Sequence, residues 1–467
     1  MVAGLVIFLA TLRFCHVRLL WADEDYHLAA ALNILHGKLP YRDFWYDKPP
    51  LNALNYLAIG GYSGWPLRLL DTLYVLLACF LMYRLARAWY GEREARLSAL
   101  LLAFFLAFYL PSAVIAFAAD ALMLVPHLAA VYYAFHKHAF LAGICCAVAF
   151  LVNAKAVFVL AICALWLPSG VLLLGLGFLV PVAAFAAAAF ALGVWPGYIE
   201  QVWQWGWIYA AASPVAHPLA TGFARTLHWL GFHAALAGGT AYALARNSMR
   251  DRWRLGSWIV LSFAAVCLGT RFAPHYFLQL LPVMVLAGSR GLVLAWSRYR
   301  YATAVFVSVA LLIPLVRFGP RYAALGYDAL FGRVPHWNDV AMDSDSRHAA
   351  ELIHAAARPG DTLLVWGYRP DMYVYTRLTS DSRFWDSQPL TGVPADRHLQ
   401  ADAPIYSGPA ARNRLDLIRS RPTWFVDGLG LLNPKLAPAM FPELRPWLKQ
   451  YKVVARTNLA VIYHVER

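Results

Sequence analysis

Eleven apolar runs crowd the first two thirds of the chain, and they leave it few folds to adopt. They lie near 2–20, 66–89, 97–115, 120–135, 139–153, 155–168, 171–193, 226–245, 255–270, 276–293 and 301–318. A helix needs about 20 mostly apolar residues to cross the hydrocarbon core, with roughly 17–25 the usual range. Several runs are shorter than that. The pair meeting near Asn153 to Lys155 reads as two half-length helices or one re-entrant hairpin. Composition points the same way: 61% of the 467 residues are apolar and 14% charged, with mean hydropathy +0.51. Soluble domains carry about 25% charged residues. A soluble enzyme and a disordered chain are both excluded, and a polytopic α-helical membrane protein with about eleven transmembrane helices is predicted. Arg13 and Arg18 inside the first run imply a helix that begins midway or tilts to let them snorkel. No polar segment with a small-residue cleavage site precedes that run, so it is not read as a removable signal peptide.

Lys and Arg in short loops mark the cytoplasmic side. Arg84, Arg87, Arg93 and Arg96, then Lys137, then Arg246, Arg250, Arg252 and Arg254, then Arg290, Arg298 and Arg300 all fall on one side if the N-terminus is cytoplasmic. These loops account for the basic balance without nucleic acid, for which no basic groove interleaved with aromatics is visible. The extracytoplasmic side then receives 21–65, the turn before Asp120, the Lys155 turn, 194–225, 271–275 and everything after about 319. Seven of the eleven acids in residues 1–318 fall there: Asp23, Glu24, Asp25, Asp43, Asp47, Asp120 and Glu200. Acids are costly in a membrane protein and seldom collect on one face without a function.

Residues 319–467 differ in character, with 18 basic and 15 acidic residues and frequent turn signals such as Arg358-Pro359-Gly360-Asp361. Strand-like runs at 362–366, 424–426, 451–455 and 460–464 alternate with helical periodicity around 346–357 and 408–419. We read a transmembrane domain over 1–318, with an outer catalytic loop at 21–65, and a small extracytoplasmic α/β domain over 319–467. The six cysteines all sit in apolar stretches without metal-type spacing and read as packing residues.

The first outer loop holds the densest chemistry. Asp23 precedes a helical-looking run from Tyr26 to Leu35, so it suits an N-cap as well as a catalytic role. Asp120 opens a span and has the same two readings. Lys48, Lys155, Arg271 and His275 share the outer face; each alone suits a snorkelling or interfacial charge, but together they suit a phosphate. Trp195, Trp203, Trp205, Trp207 and Tyr209 read as an interfacial aromatic belt or as an amphipathic lid. Asp71 reads as structural. No phosphate-binding G-x-x-x-x-G-K-[ST], no dinucleotide fingerprint and no H-E-x-x-H occurs.

Asp23-Glu24-Asp25-Tyr26, then Gly37 with Pro40-Tyr41 and Asp43-Phe44, then Lys48-Pro49-Pro50-Leu51 together resemble the dolichyl-phosphate-mannose–protein mannosyltransferase-like superfamily. These are GT-C membrane glycosyltransferases, and the likeness is to the bacterial family-39 branch with the aminoarabinose transferases. The likeness extends to Asp120 after Phe117, to Asn153-Ala154-Lys155, and to the run from Arg271 through Pro274, His275, Tyr276 and Gln279 to Pro282. In the tail it takes in Trp366-Gly367-Tyr368 and Tyr373. The resemblance implies Asp23 as the catalytic carboxylate, with Glu24 and Asp120 as further acids. It implies Tyr26, Tyr41, Asp43, Lys48, Lys155, Arg271, His275 and Tyr276 as substrate contacts. Asp23 and Asp120 are the positions for a divalent cation, Mg2+ or Mn2+, if one is used.

The expected activity is transfer of a sugar from a polyprenyl-phosphate donor to a glycan, lipid or protein hydroxyl outside the plasma membrane, with inversion. Attack at an anomeric carbon passes through an oxocarbenium-like state; it needs a carboxylate to take the hydroxyl proton and cations to hold the departing phosphate. The rival readings are a transporter or flippase of a lipid-linked sugar, which calls for internal repeats not seen here, and a glycan-binding scaffold.

Overall fold

The computed structural model describes residues 2–110, 116–211, 215–332 and 338–465. Helices dominate, and a single four-stranded sheet stands near the C-terminus. Three helices are long and apolar enough to cross a membrane: Trp65–Trp89, Pro168–Ala191 and Arg300–Phe331. Other apolar helices are shorter, namely Val2–Phe14, Ala119–Phe135, Ala139–Val152 and Ala154–Trp166. The 14 residues of Ala139–Val152 rise about 21 Å, short of the ~30 Å hydrocarbon core. The run expected at 226–245 is interrupted at His233, between helices Pro218–Phe232 and Ala234–Arg246, where the imidazole Nδ1 lies 2.8 Å from the Trp229 carbonyl. The end of the run at 97–115 falls on 111–115, outside the described residues. The pair of runs meeting near Asn153 is two short helices joined by a 3-10 turn, Ala154–Ala156, whose Lys155 N–H donates to the Asn153 side chain.

Arg13 does not snorkel. Its side chain is buried, 3.3 Å from Asp71, and donates to the Leu106 carbonyl at 2.9 Å. Asp71 on the next helix supplies the counter-charge that water would otherwise provide. The helix Arg300–Phe331 runs unbroken through position 318 and stops at Gly332, whose positive φ of 70° ends it in a left-handed cap.

Lipid gives helices no hydrophobic drive to associate, so small residues bring backbones together instead. Helices Ala139–Val152 and Val171–Ala191 meet this way: a Cβ on Gly143 would lie 2.1 Å from Leu174 O, and one on Gly177 would lie 2.1 Å from Phe140 O.

In the tail, strand β1 (Leu363–Trp366) pairs in parallel with β2 (Trp424–Asp427). Strand β4 (Val461–Val465) is antiparallel to β2, and β3 (Tyr451–Arg456) closes the order β1-β2-β4-β3. β1, at one edge of the sheet, and β2 beside it are buried throughout. The core below them is continuous with the first outer loop, joining Tyr26, Phe44 and Tyr46 to Trp366, Tyr373 and Trp385.

Gly177→Leu should lower the thermal unfolding midpoint in detergent, by the equivalent of about 1–3 kcal/mol of overpacking. Gly175→Leu, two residues away on the same helix with open space around its Cβ position, should leave the midpoint unchanged.

Candidate active site

The loop over 21–65 begins with an acid that the fold consumes. Glu24 is fully buried: Oε1 takes Arg68 Nη2 at 2.6 Å, and Oε2 takes Nη1 at 3.1 Å. The same carboxylate accepts from the Trp21 N–H at 2.9 Å and the Phe117 N–H at 3.1 Å. Every strong acceptor direction of Glu24 is thus used, and its expected catalytic role is not supported by this geometry. Asp23 stands at the N-cap of helix Glu24–Leu35 yet makes no side-chain cap bond. Its φ of 75° lies in the region that favours glycine, and its side chain is exposed. Such strain persists where surrounding structure imposes it, and it is typical of functional positions. Asp25 is buried; burial first, then the facing Asp371 and Asp23, hold its carboxyl well above the usual carboxylate range. Its Oδ1 also accepts from the Tyr26 N–H at 2.7 Å, so it is enclosed and already partnered. Of the three adjacent acids, Asp23 alone is both accessible and uncommitted.

The remainder of the loop divides into scaffold and site. Asp43 pairs with Arg42 at 2.8 Å and accepts from the Leu39 N–H, so it closes a surface turn and is not placed to hold substrate. Tyr41 is buried, and its hydroxyl donates to the Lys48 carbonyl at 2.8 Å, which fixes the lysine's backbone. Tyr26 is likewise enclosed, stacked between Tyr46 at 5.4 Å and Tyr368 and Trp385 at 5.5 and 4.7 Å. These two tyrosines support the site. Lys48 lies over the rings of Tyr26 and Tyr209, 6.0 and 5.9 Å from their centroids, and 3.2 Å from Asp47. Burial disfavours its charge, but Asp47 and Asp23 outweigh that and raise its pKa.

A second group gathers around Asp120. Asn153 Nδ2 donates to Asp120 Oδ1 at 3.1 Å, and His275 Nε2 lies 3.7 Å from Oδ2. Lys155 Nζ sits against the face of the Tyr276 ring and is buried without a hydrogen-bond partner among the described residues. Burial lowers its pKa to about 8, with Asp120 opposing. Tyr276 joins the two groups, since Tyr209, Asp120, Arg271 and Lys48 all act on its hydroxyl. Arg271 is placed differently from expectation: it pairs with Asp396 of the outer domain, donates to the Tyr209 carbonyl at 2.6 Å and covers the Tyr209 ring at 3.7 Å. Its guanidinium therefore orders the site's wall.

Tyr209 was visible in the sequence only as one aromatic among several, and its place between Lys48 and Arg271 could not be read there. Its segment is not a free lid: Gln201 clamps it to the loop, accepting from the Tyr46 N–H and donating to the Tyr41 carbonyl, both at 2.7 Å. Among the described residues no three His, Cys, Asp or Glu side chains gather to hold an ion. Mg2+ ordinarily takes one or two carboxylates and completes its shell with water and substrate phosphate, so Asp23 and Asp120 remain the carboxylates that would hold one. A groove of about 440 Å3 on the outer domain, lined by Leu352, Arg358, Asp361 and Trp424 among others, shares no residue with this cluster.

No protein-family model and no curated protein sequence matches the chain. Among solved structures, ArnT from Cupriavidus metallidurans bound to undecaprenyl phosphate aligns with TM-score 0.62 at 15% identity, over 99% of this chain and 97% of that one. The apo state of the same protein gives 0.58 at 16% identity, covering 99% and 96%. The oligosaccharyltransferase of Archaeoglobus fulgidus, in complex with Zn and sulfate, gives 0.51 at 14% identity, covering 96% and 71%. The chain has the GT-C fold and is similar in structure to ArnT from end to end.

Glu24→Gln should destabilise the protein by about 3–5 kcal/mol, because it leaves the Arg68 charge buried without a counter-ion. Asp23→Asn should leave the melting temperature unchanged or raise it. Thermal unfolding of the two variants side by side separates the structural acid from the chemical one.

Proposed function

We propose that this protein transfers a sugar from a polyprenyl-phosphate donor to an acceptor hydroxyl at the extracytoplasmic face of the plasma membrane. The observation that carries this reading is the meeting of two lysines, Lys48 and Lys155, around Tyr209 and Tyr276, beside an exposed and strained Asp23. The likeness in fold to a protein solved with undecaprenyl phosphate supports a donor of that kind. In the proposed reaction Asp23 takes the proton of the acceptor hydroxyl, whose oxygen bonds to the anomeric carbon. The bond from that carbon to the phosphate oxygen breaks, and polyprenyl phosphate departs carrying the electron pair. A single displacement inverts the anomeric centre. Lys48 and Lys155 neutralise the departing phosphate, and His275 and Asp120 border the same space. About eleven crossings, a cytoplasmic N-terminus and an extracytoplasmic domain from about 319 onward complete the proposal. They rest on the arginine-rich loops of one side and the acids of the other.

The test is transfer of labelled sugar from synthetic polyprenyl-phosphate donors to a membrane extract containing acceptor, by purified protein in liposomes. Asp23→Asn should reduce transfer by at least about 10²-fold, the lower range for losing a general base. Loss of transfer in EDTA, restored by Mg2+ or Mn2+, would make Asp23 and Asp120 ligands of an ion shared with the donor phosphate, and an unchanged rate would leave the lysines as the phosphate's counter-charges. Donor movement across the liposome without transfer in the wild type would favour a flippase instead.

Lys155 gives a pH signature. Its ammonium is charged below about 8 and neutral above, and phosphate binds the charged form. Affinity for the donor should therefore be flat below that pH and fall as pH rises through it. Lys155→Arg, which stays charged, should flatten the fall in a binding titration between about pH 7.5 and 9.5.

A further inference from the structure

Where the outer domain meets the catalytic loop, three buried polar atoms have no partner among the described residues: Asp47 Oδ1, Asp386 Oδ2 and Ser387 Oγ. The two chain segments that carry them run side by side. The Trp45 N–H donates to the Arg383 carbonyl at 2.7 Å, and the Trp385 indole N–H returns a bond to the Trp45 carbonyl. Trp385 stacks on Tyr26, which also stacks on Tyr46 and Tyr368, so the floor below is aromatic. Asp386 and Ser387 are fully buried, and the Asp47 side chain is nearly so. One oxygen of each carboxylate is satisfied: Asp386 Oδ1 by the Gln388 N–H at 2.8 Å, Asp47 Oδ2 by Lys48 at 3.2 Å. The other oxygen of each is not.

These groups share one environment. Asp47 and Lys48 both act on the Asp386 carboxyl, and Asp47 and Asp386 both act on the hydroxyls of Tyr26 and Tyr368. Asp23 acts on Lys48 and on Tyr368, which puts this space next to the proposed base. Buried acceptors without donors are costly, and two carboxylate oxygens with a hydroxyl call for a ligand rich in donors. Burial pushes the Asp386 carboxyl up to about 7, as befits a charge still waiting for such donors.

We infer that Asp47, Asp386 and Ser387 form a subsite that accepts hydrogen bonds from the hydroxyl or ammonium groups of a sugar ring, so that the outer domain takes part in choosing the sugar. The inference rests on the transferase reading above and extends it to residues outside the transmembrane part. The ring belongs either to the donor sugar or to a glycan acceptor, and the two sources give different kinetics.

The test uses full-length protein in nanodiscs: wild type, Asp386→Asn and Ser387→Ala. Binding is titrated with bare polyprenyl phosphate and with polyprenyl-phosphate sugar, and KM is measured for the acceptor extract. If the subsite holds the donor sugar, both variants lose at least about tenfold in affinity for the glycosylated donor, with bare polyprenyl phosphate bound as by wild type. If it holds the acceptor, donor affinity stays and the acceptor KM rises by a similar factor. Either result supports the subsite. Should Asp386→Asn fail to fold, Ser387→Ala decides. Folded variants within about twofold of wild type on every ligand would mean that water alone fills the space, and would overturn the inference while leaving the transferase reading in place. A wild type that neither binds nor transfers any polyprenyl-phosphate sugar overturns that reading, and the subsite with it.

Discussion

The Glu24–Arg68 pair is the constraint on which the candidate site depends. Two charges removed from water are tolerable only when each hydrogen-bonding direction finds a partner. Here Arg68 ends on Glu24 and on the carbonyls of His16 and Leu19, while Glu24 also receives two backbone N–H groups. Those N–H groups come from Trp21 and Phe117, which lie on segments far apart in sequence. One carboxylate therefore fixes the entry to the loop that carries Asp23 and the approach to the turn that carries Asp120. The separation of the two acids is set by an acid that does no chemistry itself, and Asp23 is left in a backbone conformation it would not choose.

The same economy of contacts joins the C-terminal α/β region to the helical part. Arg377 donates to the carbonyls of Gly60 and Gly61 at 3.0 and 2.7 Å, Lys38 reaches the Ser380 carbonyl, and Arg271 pairs with Asp396. Together with the stack around Tyr26 and Trp385, these contacts make loop and domain one core. A site walled by both has its shape fixed before any ligand arrives, which is how a binding geometry is held at low entropic cost.

Much of this was legible in the sequence, and what was not has physical causes. The strands at 363–366, 424–427, 451–456 and 461–465 follow from β-branched and aromatic runs between turn residues, and all four were readable. The neighbourhood of Asp23, Lys48, Asp120, Lys155 and Tyr276 was readable from motif order. The difference between Asp23 and Glu24 was not, because two adjacent carboxylates look alike until Arg68, 44 residues away, is seen to choose one. Arg13 looked like a snorkelling charge because Asp71 is remote in sequence. Hydropathy marked the break at Asn153, where Asn and Lys stand between two apolar runs, but not the one at His233, which interrupts what composition reads as a plain span. Asp386 was one of 15 acids in a polar tail; only its burial beside Asp47 singles it out.

Arginine and lysine divide the work in a way their chemistry explains. The buried guanidiniums of Arg13, Arg68, Arg369 and Arg414 each end on carboxylates and carbonyls of the protein itself. Arginine's planar fork offers several fixed donors and never gives up its proton, so once buried it must be satisfied permanently. It is suited to holding a scaffold. Lysine is a compact point charge with rotatable donors, and it keeps its proton in a dry site as long as burial does not lower its pKa below the working pH. Lys155, buried against the Tyr276 ring with no hydrogen-bond partner among the described residues and its pKa lowered to about 8, still carries its charge at neutral pH and has no acceptor of its own there. The side chains that build the site and the side chain proposed to meet the phosphate are thus separated by residue type, and the reason lies in how each cation bears the loss of water.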